Sequence, residues 1–504
     1  MDTSTSKALQ APPKIRNPAN AVNFWSVAAA TLTLFYFVTS VYIASHRLFW
    51  YDEIFTVHVA RLPGIATEWD ALTHGVDSSP PGYFILATTA QKLFGASEVA
   101  ARLPSALAMA AGLLVTFDCA RRLTDGLHGL IALAVLTCSF LPYYGYEARS
   151  YAIYFMLAAL SLWVWTCTPD DKRWSAMAFG AVLFLAVTSH YYAVLLLVPY
   201  GLWELYCWKP WQLPSPKLLA GLLGVALSIA LVSKPMLSYS RQFSAAFWAV
   251  PTFDASRAIF SELFPDVLFL LVLVMVWIAV APTSNESIGL DRRQAGESVG
   301  WLFLCIPLAG FVLARWKTNA FVDRYFISAL PGIAVAFSCL LWRRFRNTYR
   351  VSLGVLLIFG VMGIAAQVRT TAHPDSVGPY HEQTLTRQYL GLEDALRSDG
   401  KRFTVFPGKD SLLHLEAAYY TKYPDDCILL LASDATQEGI AERIELRLAR
   451  HYPLQFWTMD DLKRHALETA LIAPWPDTLD ALRLAGFQTS IRFKEPLRVV
   501  YLQR

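Results

Sequence analysis

Between residues 23 and 367 the sequence is a succession of mainly apolar stretches, and this constrains its fold more than any motif does. A helix that crosses a bilayer takes roughly 20 such residues, within a range of about 17–25. Eleven stretches approach that length: 23–44, 99–121, 126–142, 150–167, 174–189, 191–207, 217–233, 266–282, 298–315, 326–342 and 351–367. Composition agrees, since 16% of the 504 residues are charged, where a soluble chain carries about a quarter. The expected fold is therefore an all-α polytopic membrane domain of about eleven transmembrane helices. A net charge of +4 carries no nucleic-acid signature.

The basic residues set the orientation. With residues 1–22 read as a cytoplasmic tail without a secretory leader, the inner loops hold Arg121 and Arg122, Lys172 and Arg173, Lys209 and Lys217, Arg292 and Arg293, and the run Arg343, Arg344, Arg346 and Arg350. All fall on one side, as the positive-inside rule requires. The stretch "PPGYFILATTAQKLFG" (80–95) is apolar, yet it opens on two prolines and contains Gln91 and Lys92. Counting it as a span would reverse every later loop, so it reads as a helix lying in the outer interface. The first outer loop is then 45–98.

Residues 368–504 differ in character. They carry more charge and alternating runs such as "RFTVF" (402–406), "CILLLAS" (427–433) and "LRVVYLQ" (497–503). "DLKRHALETALIA" (461–473) and "PDTLDALRLAGF" (476–487) read as helices or helix–strand joins. The expectation is a small α/β domain on the non-cytoplasmic face. Cys427 is its only cysteine, so no disulfide forms within it, and no Cys/His spacing suits zinc.

Polar residues collect at the outer ends of the spans. Asp52 and Glu53 follow Phe49, Trp50 and Tyr51. The same loop holds His74, Asp77 and "SSPPGYF", and the next holds Glu147 and Arg149 in "YEARSY". His190, Tyr191 and Tyr192 form a third group, and Lys317, Asp323, Arg324 and Tyr325 a fourth, in "RWKTNAFVDRYF". An ionised group at membrane depth is costly unless it is solvated, paired or used, so a one-sided collection reads as a functional site. Ordinary readings stand beside this one: Glu147 and Arg149 pairing with each other, His190 as a packing residue, His74 and Asp77 as plain loop.

Four pieces in this order resemble one family: "WYDE"; Asp77 with "SSPPGYF" after it, followed by "LFGASEVAARLPSALAMAAGLL"; "YEARSYAIY"; and "DRYFISALP". Over residues 20–370 the chain resembles the polytopic GT-C glycosyltransferases, in the bacterial branch related to protein O-mannosyltransferases and to the aminoarabinose transferase that modifies lipid A. Residues 371–504 match no named pattern. The resemblance implies a GT-C-like catalytic domain over 23–367 and a periplasmic domain over 368–504, in a bacterial inner membrane. It implies a polyprenyl-phosphate sugar donor, transfer with inversion, and an acceptor hydroxyl on a glycan, glycolipid or protein. It places Asp52, with Glu53 beside it, on the acidic motif that holds the base. Glu147 falls near the second acidic position and Arg149 on the arginine after it. Arg324, before Tyr325, falls on a basic position suited to the donor phosphate. The family often reads Gln before that Glu, where this chain has Tyr146.

The residues would support such chemistry. Asp52 is the expected base for the acceptor proton, with Glu53 and Glu147 as the other catalytic carboxylates. Arg324, Lys317, Arg149 and Tyr325 are expected at the donor phosphate, since a guanidinium offers a planar fork of donors. His74, Asp77, His190 and Tyr191 are expected around the acceptor or sugar. No cofactor is assigned; a divalent cation, if one binds, would take Asp52 and Glu147. A transporter or lipid-linked sugar flippase is the rival, but it would place such groups near the midplane with symmetry between halves. A non-catalytic scaffold leaves the clustering without a cause.

Overall fold

The computed structural model describes residues 18–503 apart from Ser78, Asp171, 209–212, 244–248, Asp266, 281–291, 375–381, 408–410, 432–451, Trp475, Ala485 and 494–496. Most of the expected cytoplasmic tail, Lys209 and Ser433 lie outside the described residues, as does Ser78, which opens "SSPPGYF".

The chain is mostly helical, with one small sheet. Among the described residues six helices are long and apolar enough to cross a membrane: Phe24–His46, Glu98–Leu123, Pro216–Pro235, Arg293–Thr318, Asp323–Phe345 and Tyr349–Ala372. Phe253–Leu263 and Leu268–Ile278, bent by 81° to one another, make a seventh if taken as one span. Three apolar helices are shorter: Gly126–Thr137, Tyr151–Cys167 and Arg173–Ser189. Several of the stretches read from sequence are thus broken. The one over 126–142 leaves the α-helix at Cys138 and continues as 3₁₀ turns, Leu141–Tyr146, around Pro142. The one over 191–207 opens as 3₁₀ turns before its α-helix begins at Leu197.

The elements around the polar groups are α1 (Pro18–His46), α2 (Tyr51–Ala60), α3 (Ile65–Thr73), α4 (Gly82–Phe94), α5 (Glu98–Leu123), α6 (Gly126–Thr137), α7 (Tyr151–Cys167) and α8 (Arg173–Ser189). The stretch 80–95 is indeed helical, as α4. It is tied to α2 by Thr88, whose hydroxyl donates to the Ala60 carbonyl at 2.9 Å, and to α5 by Tyr83, which reaches the Ala101 carbonyl at 3.1 Å. Small residues let membrane helices approach closely. A Cβ at Gly224, on the helix Pro216–Phe243, would come 2.1 Å from the Gly180 carbonyl oxygen of α8.

Among its described residues the tail holds six strands: β1 (Phe403–Pro407), β2 (Cys427–Leu430), β3 (Gln455–Trp457), β4 (Thr469–Ile472), β5 (Gln488–Phe493) and β6 (Val499–Gln503). Their order is β3-β2-β1-β4-β6-β5; the first four are mutually parallel, and β6 runs antiparallel to both its neighbours, β4 and β5. Alternate residues bury on opposite faces: Phe406, Leu429 and Ile472 on one, Val405, Ile428 and Leu471 on the other. "DLKRHALETALIA" is a helix–strand join, the helix Met459–His465 leading through a 3₁₀ turn into β4.

Candidate active site

Asp52 and Glu53 occupy the first turn of α2, where the helix dipole favours carboxylates. Adjacent helical side chains diverge by about 100°, and these two meet opposite surroundings. Glu53 turns inward. Its oxygens accept from Arg102 Nε at 2.7 Å and Nη2 at 2.6 Å, and both side chains are 1% exposed. Glu53 also accepts the backbone N–H of Ala148 at 2.6 Å and of Trp50 at 3.2 Å. Arg102 donates further to the carbonyls of Ala44, Arg47 and Leu48, each at 2.8 Å. These bonds use the five donors of the guanidinium and cap the end of α1. One buried pair therefore joins α1, α2, α5 and the loop at Glu147–Ala148.

Asp52 turns outward, its side chain 24% exposed. Its Oδ2 lies 3.5 Å from Arg324 Nη2 and 3.9 Å from Arg149 Nη2. Arg149 Nη1 donates to Asp77 Oδ2 at 2.6 Å, to the Thr56 hydroxyl at 3.1 Å and to the Asp52 carbonyl at 3.2 Å. The other oxygen of Asp77 accepts the Ser79 N–H at 2.7 Å. Arg324 donates through Nε to the Tyr151 hydroxyl at 2.8 Å. Two segments distant in sequence, those of Arg149 and Arg324, thus converge on Asp52, and Asp77 joins through Arg149.

Glu147 is buried. Its Oε1 accepts the Trp50 indole N–H at 2.8 Å, and its Oε2 has no hydrogen-bond partner among the described residues. Burial, reinforced by the Glu53 charge and opposed by Arg324 and Arg149, pushes its carboxyl up to about 8. The side-chain pairing of Glu147 with Arg149 that the sequence left open is not the arrangement found. His190 stacks on Tyr154 at 4.7 Å between ring centres, with Tyr325 at 5.2 Å and Tyr151 at 5.5 Å. Burial and the two arginines push it down to about 3, so the ring is neutral. Tyr191 lies within the field of Asp77, and Tyr325 packs on Tyr192. Lys317 stands exposed on the turn Ala314–Thr318, and His74 is exposed with Nδ1 2.8 Å from the Asp70 carbonyl. Among the described residues neither forms an ion pair with the Asp52 cluster.

Sequence reasoning missed Arg102, Tyr151 and the donor role of the Trp50 indole. Arg102 did carry a signal: it is an arginine inside the apolar stretch 99–121, and a charge there needs a partner.

A cavity of about 930 Å³ opens beside Arg324, between the Leu141–Tyr146 turns, the helix Phe253–Leu263 and the end of Tyr349–Ala372. Tyr144, Tyr146, Glu262, Asp323 and Arg369 are among its walls. Among the described residues no group of three or more His, Cys, Asp or Glu is placed to hold a metal. The charged groups that face the Asp52 carboxylate are guanidinium groups.

Known proteins resemble this chain in sequence and fold. Residues 78–239 match the profile of the dolichyl-phosphate-mannose-protein mannosyltransferase family. The undecaprenyl phosphate-alpha-4-amino-4-deoxy-L-arabinose arabinosyl transferase of Pseudomonas aeruginosa is 26% identical over 355 residues, which span 65% of this chain and 61% of that protein. The crystal structure of ArnT from Cupriavidus metallidurans bound to undecaprenyl phosphate superposes with a TM-score of 0.61 at 13% identity, covering 95% of this chain and 98% of that one. Its apo form gives the same score, over 96% and 98%. The chain shares that membrane fold and is related to the GT-C glycosyltransferases of the aminoarabinose and O-mannosyl branches.

Proposed function

We propose that this chain transfers a sugar from a polyprenyl phosphate to an acceptor hydroxyl on the outer face of a bacterial inner membrane, with Asp52 as base and Arg324 at the donor phosphate. One observation carries the reading: a partly open carboxylate stands 3.5 Å from an arginine that also lines a large cavity between helix ends. The relatives act on, or were solved with, undecaprenyl-phosphate compounds, and this chain has their fold.

The donor phosphate enters the cavity and takes a forked contact from Arg324. That draws the guanidinium from Asp52 and leaves its carboxylate open to the acceptor hydroxyl. The acceptor oxygen attacks the anomeric carbon opposite the phosphate, Asp52 takes its proton, and the carbon–phosphate-oxygen bond breaks with inversion. Arg324 and Arg149 stabilise the charge that gathers on the leaving phosphate. Glu53 has no part in proton transfer, because Arg102 and two backbone amides occupy its oxygens. Neutral His190 and the tyrosines beside it form a wall for the sugar. A flippase would need its polar groups near the midplane; here they gather at helix ends.

Arg324→Ala is expected to weaken binding of the lipid donor, and Arg324→Lys to restore it only in part, since a point charge replaces a fork. Titration with a polyprenyl-phosphate sugar measures this. Unchanged donor affinity and turnover in Arg324→Ala would move the phosphate role elsewhere.

The eleven-span topology has its own test. In a variant lacking the native cysteines, cysteines placed at 74 or 400 are expected to react with an impermeant thiol reagent in intact cells, and ones at 124 or 345 to stay shielded. Labelling at 345 from outside overturns the topology and the outer-face site together.

A further inference from the structure

The tail does more than sit beside the membrane helices: its contacts concentrate on the short helix that carries Asp52. The Phe49 N–H, three residues before Asp52, donates to the Tyr420 hydroxyl at 2.7 Å, and that hydroxyl donates to Glu98 Oε1 of α5 at 3.2 Å. Six residues after Asp52, the His58 carbonyl accepts from the Tyr452 hydroxyl. The half-buried His58 ring lies between Tyr452, at 4.3 Å, and Tyr419, at 5.5 Å. The Phe49 ring lies with Tyr419 at 5.8 Å and the Arg102 guanidinium at 4.8 Å, so the tail also presses on the partner of Glu53. Arg387 completes the set with a 2.8 Å bond to the His46 carbonyl at the end of α1.

We propose that the tail domain is a clamp on the catalytic helix: Tyr420 and Tyr452 fix α2 at its two ends and so set where the Asp52 carboxylate stands. The two tyrosines are positioning residues, and their effect on catalysis rests on Asp52 being the base. An anchor that only tethered the tail could grip side chains anywhere on the outer face. These bonds instead take backbone groups at the entry and exit of α2, which fix its height and tilt whatever its side chains do. The carbonyl taken by Tyr452 is among the last four of α2, which lack full helical partners. Burial and neighbouring Arg61, whose guanidinium lies 5.3 Å from the Tyr419 ring, push His58 down to about 3, so its ring packs there neutral. A catalytic group misplaced by about 1 Å can cost on the order of 100-fold, so small freedom in α2 matters.

The test is the double variant Tyr420→Phe/Tyr452→Phe, which removes two hydroxyls and keeps both rings, with Tyr452→Phe alone as the milder form. Its turnover is expected to fall by about 10- to 100-fold, with the KM for lipid donor nearly unchanged. Amide hydrogen exchange is expected to quicken across residues 51–60 and to stay as in the parent across α7. Parent turnover with parent exchange in α2 overturns the clamp. So does a loss of turnover that tracks a lowered unfolding temperature while α2 exchange is unmoved, since that is a merely structural effect. If the parent protein releases no polyprenyl phosphate from any donor offered, the transferase reading fails, and the exchange result alone decides the clamp.

Discussion

Asp52→Asn is expected to lower single-turnover transfer by about 10²–10⁴-fold, the usual contribution of a general base, while donor binding stays nearly unchanged. The substitution keeps size and removes the proton acceptor. Arg149 retains Asp77 as its partner at 2.6 Å, so the cluster keeps its shape. Arg324 loses a competing anion and keeps its fork for the donor phosphate. Folding is expected to survive, because the Asp52 side chain is 24% exposed and its loss leaves no buried charge unpaired. The measurement is single-turnover release of polyprenyl phosphate, with donor affinity measured separately. A folded, donor-binding Asp52→Asn protein that transfers at the parent rate would remove Asp52 as base and shift attention to Glu147.

Arg102→Met should act on stability. Removing one partner from a buried ion pair typically costs about 3–5 kcal/mol, and Glu53→Gln should fall near the lower end because the amide still offers one acceptor. Replacing both members of a buried pair with apolar residues is often neutral. Here it should not be, since Arg102 also satisfies the carbonyls of Ala44, Arg47 and Leu48. The double variant Glu53→Met/Arg102→Met is thus expected to unfold well below the parent in detergent, much as Arg102→Met does. Parent-like melting of either Arg102 variant would sink the account of this pair as the joint of the outer face.

That contrast shows what could be read from the sequence. From the sequence alone Asp52 and Glu53 are both catalytic candidates, because two neighbouring carboxylates look alike until their surroundings are known. The helical membrane class was legible, since length and hydropathy are local properties. The convergence of outer segments was legible only as a one-sided tally. Which arginine serves which carboxylate was not, because Arg102 meets Glu53 across 49 positions and Arg324 meets Asp52 across more than 250. The full count of spans was blurred for a related reason: Pro142 and the 3₁₀ turns at 141–146 and 191–196 interrupt stretches whose hydropathy is continuous. Lys317 lies near the right motif in sequence, yet it stands exposed and outside the ion pairs around Asp52.

The strand order of the tail has a bearing on biogenesis. β6, residues 499–503, lies between β4 and β5, so the sheet cannot close until that segment has been delivered. Non-local strand pairing of this kind is also slow compared with helix formation. The membrane helices are made first and can pack while the tail is still incomplete. Tyr420 and Tyr452 follow α1–α8 in the chain, so their bonds to the Phe49 amide and the His58 carbonyl form only after those helices have been made.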